Sequence, residues 1–175
     1  MIFLTLFSGI VLIYAYILMG RIESSRRQLE HSSATDTLTG LLNRRGLYET
    51  AERLFDRALG QGEKLVVMFA DMDKFKSIND TFGHTAGDLC LETLTDRLRS
   101  ILPDSSVIGR LAGDEFGVIL DNLDPARNLR AEVVATTRQL QETITEPLQY
   151  QRHQLYLSTS ARIALYPTDG NNVID

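Results

Sequence analysis

Carboxylate side chains are concentrated in two short segments of the sequence. Asp71 and Asp73 end an apolar run that predicts a buried strand, and Asp114 and Glu115 occupy the turn of a predicted hairpin. Carboxylates gathered at strand ends repel one another unless a cation lies between them, and such hard oxygen ligands suit Mg²⁺. Asp71 alone is as typical of a solvated acid that ends a strand as of a metal ligand, but the two pairs together predict a metal site.

The residues between these acidic segments have side chains suited to a nucleotide. Asn79 and Asp88 carry the hydrogen-bond donors and acceptors that read the edge of a purine base. Lys76 can neutralise a phosphate as a point charge. Considered singly, Asn79 is as typical of a turn and Asp88 of a helix start. Gly113 in the hairpin turn lacks a Cβ, so the backbone can turn sharply there and a nucleotide can come close.

The elements that must position these side chains follow from the spacing of apolar residues. The pattern predicts a helix within residues 36–60, a strand buried on both faces at 65–70, a helix at 86–101, strands at 106–110 and 115–120, a helix at 129–144, and one or two strands in 148–167. Without the leading helix the order is βαββαβ, which predicts an α+β, ferredoxin-like palm with an antiparallel sheet and helices on one face. The first strand of such a sheet lies beside the hairpin, which would bring the two acidic segments together.

Composition limits the class of protein. The 175 residues suit one globular domain with a short appendage, and the formal net charge of −5 argues against a nucleic-acid partner. A nucleotide substrate remains possible because metal ions can offset the protein's charge. Cys90 is the single cysteine, so no internal disulfide can form.

Residues 1–20 contain no charged side chain, and three arginines, Arg21, Arg26 and Arg27, follow them. An apolar stretch of about 20 residues spans a bilayer, and the arginines favour a cytoplasmic C-terminal side. The alternatives are a cleaved signal peptide, for which no basic start or cleavage site is evident, and a buried core helix. We therefore predict a transmembrane helix at 1–20 and a solvated helical linker at 21–35.

Three ordered motifs resemble those of GGDEF domains. Residues 36–45 (DTLTGLLNRR) resemble the family's opening signature, residues 71–88 its nucleotide-site motif, and residues 110–116 (RLAGDEF) its namesake motif with Ala112 for the first glycine. The resemblance extends over residues 36–170 and implies a GGDEF domain at 36–175.

This resemblance implies a diguanylate cyclase, in which two GTP molecules condense into cyclic di-GMP with release of two pyrophosphates. Each of two facing subunits of a homodimer would hold one GTP, and the domain would lie on the cytoplasmic side of a bacterial inner membrane. The resemblance implies that Asp71, the main-chain carbonyl of Met72 and Asp114 bind two Mg²⁺ ions. It implies that Asn79 and Asp88 bind guanine, and that Lys76 and the main chain near Phe75 bind the phosphates. Glu115 would assist at the metal and the ribose. Either Asp114 or Glu115 is the expected proton acceptor.

The sequence also departs from the family pattern. Arg162 stands where the family usually has glycine, and residues 103–106 replace the Arg-x-x-Asp motif, so product inhibition through that motif is not expected. We also expect the domain to lack the family's closing helix and its phosphate-binding lysine. A catalytically weak or inactive GGDEF module that binds GTP or dimerises is therefore an alternative. A palm with another substrate is a third possibility, but it would give the Asn79 and Asp88 pair no role.

Overall fold

The computed structural model of the chain describes residues 33–121, 123 and 129–169. Its elements are β1 (Leu42–Asn43), α1 (Arg44–Gln61), β2 (Leu65–Met72), α2 (Phe75–Phe82), α3 (His84–Ile101), β3 (Val107–Ala112), β4 (Glu115–Leu120), α4 (Leu129–Ile144), β5 (Leu148–Tyr150), β6 (His153–Leu155) and β7 (Thr159–Tyr166). The predicted membrane helix at 1–20 and nearly all of the predicted linker lie outside the described residues. Within those residues, no helix combines the length and the apolar character needed to cross a membrane.

Five strands form one sheet in the order β1-β3-β4-β2-β7, and β5 pairs with β6 in a separate hairpin. The central strand β2 is antiparallel to both β4 and β7, while the short β1 runs parallel to β3. The elements β2, α3, β3, β4, α4 and β7 form the predicted βαββαβ palm, so the α+β fold is confirmed. The four palm strands pair antiparallel, as predicted, and the short β1, which was not predicted, adds a parallel edge.

Two helix boundaries differ from the prediction for local reasons. The first helix begins only at Arg44, because the Asn43 side chain accepts a hydrogen bond from the Gly46 N–H at 2.9 Å and caps the helix there. The second predicted helix has a separate helix, α2, in front of it. Gly83 divides the two with φ 83° and ψ 165°, a backbone conformation that is almost confined to glycine.

Helices pack on both faces of the sheet, because successive strand residues point to opposite sides. Val118 of β4 packs with α3 and α4 in the larger core, whereas Ile119 packs with Leu47 and Ala51 of α1. The two palm helices thus share one face, as predicted, and α1 occupies the other. The larger core contains Met68, Met72, Leu91, Leu94, Leu98, Phe116, Leu140 and Ile144.

The α1 helix lies close to the sheet where two strands lack side chains. Gly109 of β3 and Gly117 of β4 are register partners, and Leu47 of α1 packs over both. A Cβ at position 117 would lie 2.5 Å from Leu47 Cδ2. The two glycines therefore set how closely the helix approaches the sheet.

Replacing Gly109 tests this packing. A Cβ there would lie 2.9 Å from Leu47 Cβ and 3.0 Å from the Leu42 carbonyl oxygen. We expect Gly109→Ala to lower the free energy of unfolding by about 1–3 kcal/mol, as overpacking typically does, measured by urea unfolding.

The control is Gly60→Ala in α1, where a Cβ would enter open space. That variant should be neutral or more stable by up to about 1 kcal/mol. Wild-type stability in Gly109→Ala would contradict the close approach of α1 to β3.

Candidate functional site

The central strand pairing places Asp71 between two polar residues. Asp71 of β2 lies directly opposite Glu115 of β4 on one side and Ser160 of β7 on the other. Paired residues of this kind share a face of the sheet, with Cβ atoms about 4.5–5.5 Å apart. All three line a cavity of about 460 Å³ on the α1 face. The prediction that the two acidic segments meet is confirmed, while their metal-binding role stays a prediction.

The turn between β3 and β4 holds Asp114 against the end of β2. The Met72 N–H donates to the Asp114 carbonyl oxygen at 3.2 Å. The Met72 side chain is buried in the core on the opposite face, so only its main chain is available to the site. Gly113 lies in this turn and adopts the positive φ of +48°. Ala112 needs no positive φ, which is the condition under which we expected alanine to be tolerated there.

Arg110 joins the turn to the opening motif. Its Nε donates to the Gly113 carbonyl oxygen at 2.8 Å, and its Nη1 donates to Asp36 Oδ1 at 3.2 Å. The same Asp36 oxygen accepts from the Thr39 N–H at 2.9 Å and the Thr39 hydroxyl at 2.7 Å. Burial raises the pKa of the Asp36 carboxyl, but the Thr39 hydrogen bonds and the Arg110 charge outweigh it and hold that pKa below its usual value. The carboxylate is thus charged at neutral pH and fixes the base of the turn.

Asn79 of α2 faces Gly87 of α3 across the corner made by Gly83. Its Oδ1 is buried and has no hydrogen-bond partner within the part of the chain that the structure describes. A Cβ at Gly87 would collide with that oxygen, so glycine makes room for the amide. The next residue, Asp88, is exposed. A buried acceptor without a partner beside an exposed carboxylate fits a base that presents N–H donors, as guanine does.

The start of α2 follows directly from the end of β2. Lys74 adopts φ 58°, which turns the chain from strand into helix. The Phe75 side chain packs against the larger core, whereas Lys76 is exposed. The first N–H groups of a helix have no partner within the helix, so the main chain at Phe75 can contribute donors beside the Lys76 charge. This arrangement is compatible with the predicted phosphate contacts, which stay a prediction.

Asp73 has a structural role that its sequence position did not reveal. The Ser160 hydroxyl donates to Asp73 Oδ1 at 2.7 Å, and the Asp73 N–H donates to the Ser158 carbonyl oxygen at 2.9 Å. A hydrogen bond from the Ser160 side chain, and then one from the Ser158 side chain, lowers the pKa of the Asp73 carboxyl. Asp73 therefore ties the end of β2 to β7 and is not among the residues that line the cavity.

Sequence reasoning missed other residues that line the cavity. Arg44 and Tyr48 reach it from α1, where the Arg44 guanidinium carbon lies 5.8 Å from the centre of the Tyr48 ring. Phe69 and Arg162 reach it from the sheet, and Phe69 remains 48% exposed. Arg44 stands within the opening motif and Arg162 at a departure from the family pattern, but nothing in the sequence joins these positions to one cavity.

The donors near Asp71 suit a hard divalent cation. Carboxylate and main-chain carbonyl oxygens are what Mg²⁺ binds, and Mg²⁺ usually takes one or two carboxylates. Asp71 and Glu115 are neighbours across two strands, with the Asp114 main chain at the same strand end. Among residues 33–121, 123 and 129–169, no three His, Cys, Asp or Glu side chains gather into a metal cage. The donor set therefore fits an ion that is held partly by the protein and partly by water or phosphate.

Comparison with known proteins identifies the family. The family described as "Diguanylate cyclase, GGDEF domain" matches residues 33–175. Diguanylate cyclase DgcP of Escherichia coli is 38% identical over 143 residues, which cover 81% of this chain and 40% of DgcP. Cyclic di-GMP phosphodiesterase NbdA of Pseudomonas aeruginosa is 36% identical over 157 residues, which cover 86% of this chain and 19% of NbdA.

A solved structure agrees with these matches. The crystal structure of a sensory box/GGDEF family protein from Caulobacter crescentus superposes with a TM-score of 0.72 and 35% identity, covering 79% of this chain and 87% of that one. The chain belongs to the GGDEF family. It spans about a fifth of NbdA and two fifths of DgcP.

The contact between Gly87 and Asn79 yields a test of the predicted guanine contact. Gly87→Ala should push the Asn79 amide out of place and weaken GTP binding about twofold to tenfold, because one hydrogen bond is worth about 0.5–1.5 kcal/mol. ATP binding should change less, so the ratio of GTP to ATP affinity should fall, as measured by calorimetry.

Gly60→Ala serves again as the control, because it makes the same substitution in open space. Circular dichroism would verify that both variants are folded. An unchanged GTP-to-ATP affinity ratio in Gly87→Ala would remove the guanine role from this corner.

Proposed function

We propose that the chain forms cyclic di-GMP from two GTP molecules, with release of two pyrophosphates. The observation that carries this proposal is the register of β2, which sets Asp71 opposite Glu115 in the lining of a cavity. Further support comes from the Asn79 Oδ1 atom, which has no hydrogen-bond partner among the described residues, and from the 38% identity to diguanylate cyclase DgcP. GTP would find contacts for its guanine at Asn79 and Asp88, and for its phosphates at the start of α2. The Asp71 and Glu115 carboxylates lie near that helix start.

In the proposed reaction, Asn79 and Asp88 bind guanine and orient the nucleotide. Lys76 and the main chain at Phe75 hold the phosphate chain and draw charge away from the leaving pyrophosphate. Asp71, the Met72 carbonyl and Asp114 would hold the Mg²⁺ ions. When bound, those ions polarise the α-phosphate and favour ionisation of the attacking 3′-hydroxyl.

Glu115 is our candidate for the group that accepts the 3′-hydroxyl proton. It is exposed and lines the cavity beside Asp71, whereas Asp114 is half-buried in the turn. A proton acceptor must come within hydrogen-bond reach of the proton that it removes, which a carboxylate at the cavity wall can do. Because the product joins two nucleotides, we propose that two copies of the chain face each other, each holding one GTP.

A second candidate is a GGDEF module that binds GTP without efficient turnover. Arg162 favours it, because its long charged side chain lines the cavity at a position where the family usually has glycine. Both candidates predict GTP binding. Production of cyclic di-GMP from GTP and Mg²⁺ by the wild-type chain distinguishes them.

The metal assignment is tested at Asp71. Asp71→Asn should abolish the Mg²⁺-dependent part of GTP binding and any cyclic di-GMP production. The fold should persist, because the change removes a charge that is costly without its cation. Asp96→Asn, at an exposed position on α3, is the matched control and should bind GTP like the wild type. Wild-type GTP affinity of Asp71→Asn in Mg²⁺ would count against the assignment.

We further propose that residues 1–20 anchor the chain in a bacterial inner membrane, with the GGDEF domain on the cytoplasmic side. The support is the uncharged run and the arginines that follow it. The full chain should therefore sediment with the inner membrane, and a variant without residues 1–20 should not. Recovery of the full chain in the detergent-free soluble fraction would exclude the anchor.

A further inference from the structure

The cavity beside Asp71 has walls of opposite charge. Asp71 and Glu115 line it from β2 and β4, and Arg44 and Arg162 line it from α1 and β7. The carboxylates suit a cation, while the arginines suit an anion. A divalent cation could bind the carboxylates, and an anion bound to that cation could at the same time contact the arginines.

Strand register shows that Arg162 can reach the carboxylates. Ser160 is opposite Asp71, and Arg162 is opposite Phe69, two residues further along the same pair of strands. Two residues of a strand span about 7 Å, and both positions point to the α1 face. An extended arginine side chain covers a similar distance, so its guanidinium can meet an anion bound next to Asp71.

Arg162 also has no partner in the described part of the chain. Its side chain is exposed, and it makes no hydrogen bond or ion pair with residues 33–121, 123 or 129–169. Arg57 and Arg110, in contrast, each bond to a carboxylate, at 2.6 Å and 3.2 Å. The Arg162 guanidinium is therefore available to a ligand.

We propose that Arg162 is a phosphate-binding residue of this chain and that, with Arg44, it binds the phosphate chain of the nucleotide. This inference rests on the proposed function, since it concerns the phosphates of the same GTP. A guanidinium can donate two parallel hydrogen bonds to phosphate oxygens, and it stays charged at any relevant pH. Arg162 thus adds positive charge near the bond that releases pyrophosphate.

A phosphate-binding role for Arg162 also explains why a long side chain stands where the GGDEF pattern usually has glycine. Phe69, its register partner in β2, is 48% exposed, so the described residues do not fully cover this part of the sheet. An arginine there fills part of the cavity without displacing a buried residue. Its charge would also reduce the repulsion between incoming phosphates and Asp71 and Glu115.

The test uses inorganic tripolyphosphate as the probe, with the full chain in detergent and Mg²⁺ present, measured by calorimetry. Arg162→Ala should weaken tripolyphosphate binding by about tenfold to a hundredfold, the usual effect of losing a charged hydrogen bond. Arg162→Lys should fall between it and the wild type, because lysine keeps the charge but not the fork of donors. Arg138→Ala removes an equal charge from an exposed position on α4 and should change binding by less than about twofold.

The outcomes separate this inference from the proposed function. If Arg162→Ala binds tripolyphosphate like the wild type, if Arg138→Ala loses as much affinity, or if the wild type does not bind the probe, the inference is wrong. If tripolyphosphate binding depends on Arg162 but GTP binds no better than tripolyphosphate, the inference stands and the guanine assignment fails. Thermal unfolding of each variant verifies that a lost affinity does not reflect a lost fold.

Discussion

The antiparallel pairing of β2 with both neighbours is the constraint on which the site depends. It places Asp71 between Glu115 and Ser160 in one row across three strands. Because side chains alternate between faces, a slip of one residue would send Asp71 into the core and bring Met72 out of it. The buried Met68, Ala70 and Met72 on the opposite face oppose such a slip, so burial of the core also fixes the position of the acidic residues.

The ends of β2 and of the hairpin are held by polar contacts instead of core packing. Asp73 accepts from the Ser160 hydroxyl and joins β7, while Arg110 bonds to Asp36 and to the main chain of the turn. The pKa values of both carboxyl groups are lowered, so both carry their charge at neutral pH. Among the described residues, the Asp71 and Glu115 side chains make no such bonds, so both carboxylates are available to a ligand.

The site around Asn79, in contrast, depends on two glycines for its geometry. Gly83 divides two helices with a backbone that few other residues tolerate, and Gly87 leaves space for Asn79 Oδ1. The result is a buried amide oxygen without a partner among the described residues. Such an atom is unfavourable in the free domain, and a bound base that donates to it would remove that penalty.

The sequence by itself determined the α+β palm, indicated that the acidic segments meet and singled out Asn79 and Asp88, because apolar periodicity and ordered motifs carry that information. Only the tertiary structure showed what holds Asp73, because Asp71 lies in β2 opposite Glu115, whereas Asp73 follows the strand and accepts a hydrogen bond from Ser160. It also moved the start of α1 to Arg44 and set that helix on the second face of the sheet. The cavity shared by Arg44 and Arg162 could not be predicted, because residues far apart in the chain meet there only through strand order and register.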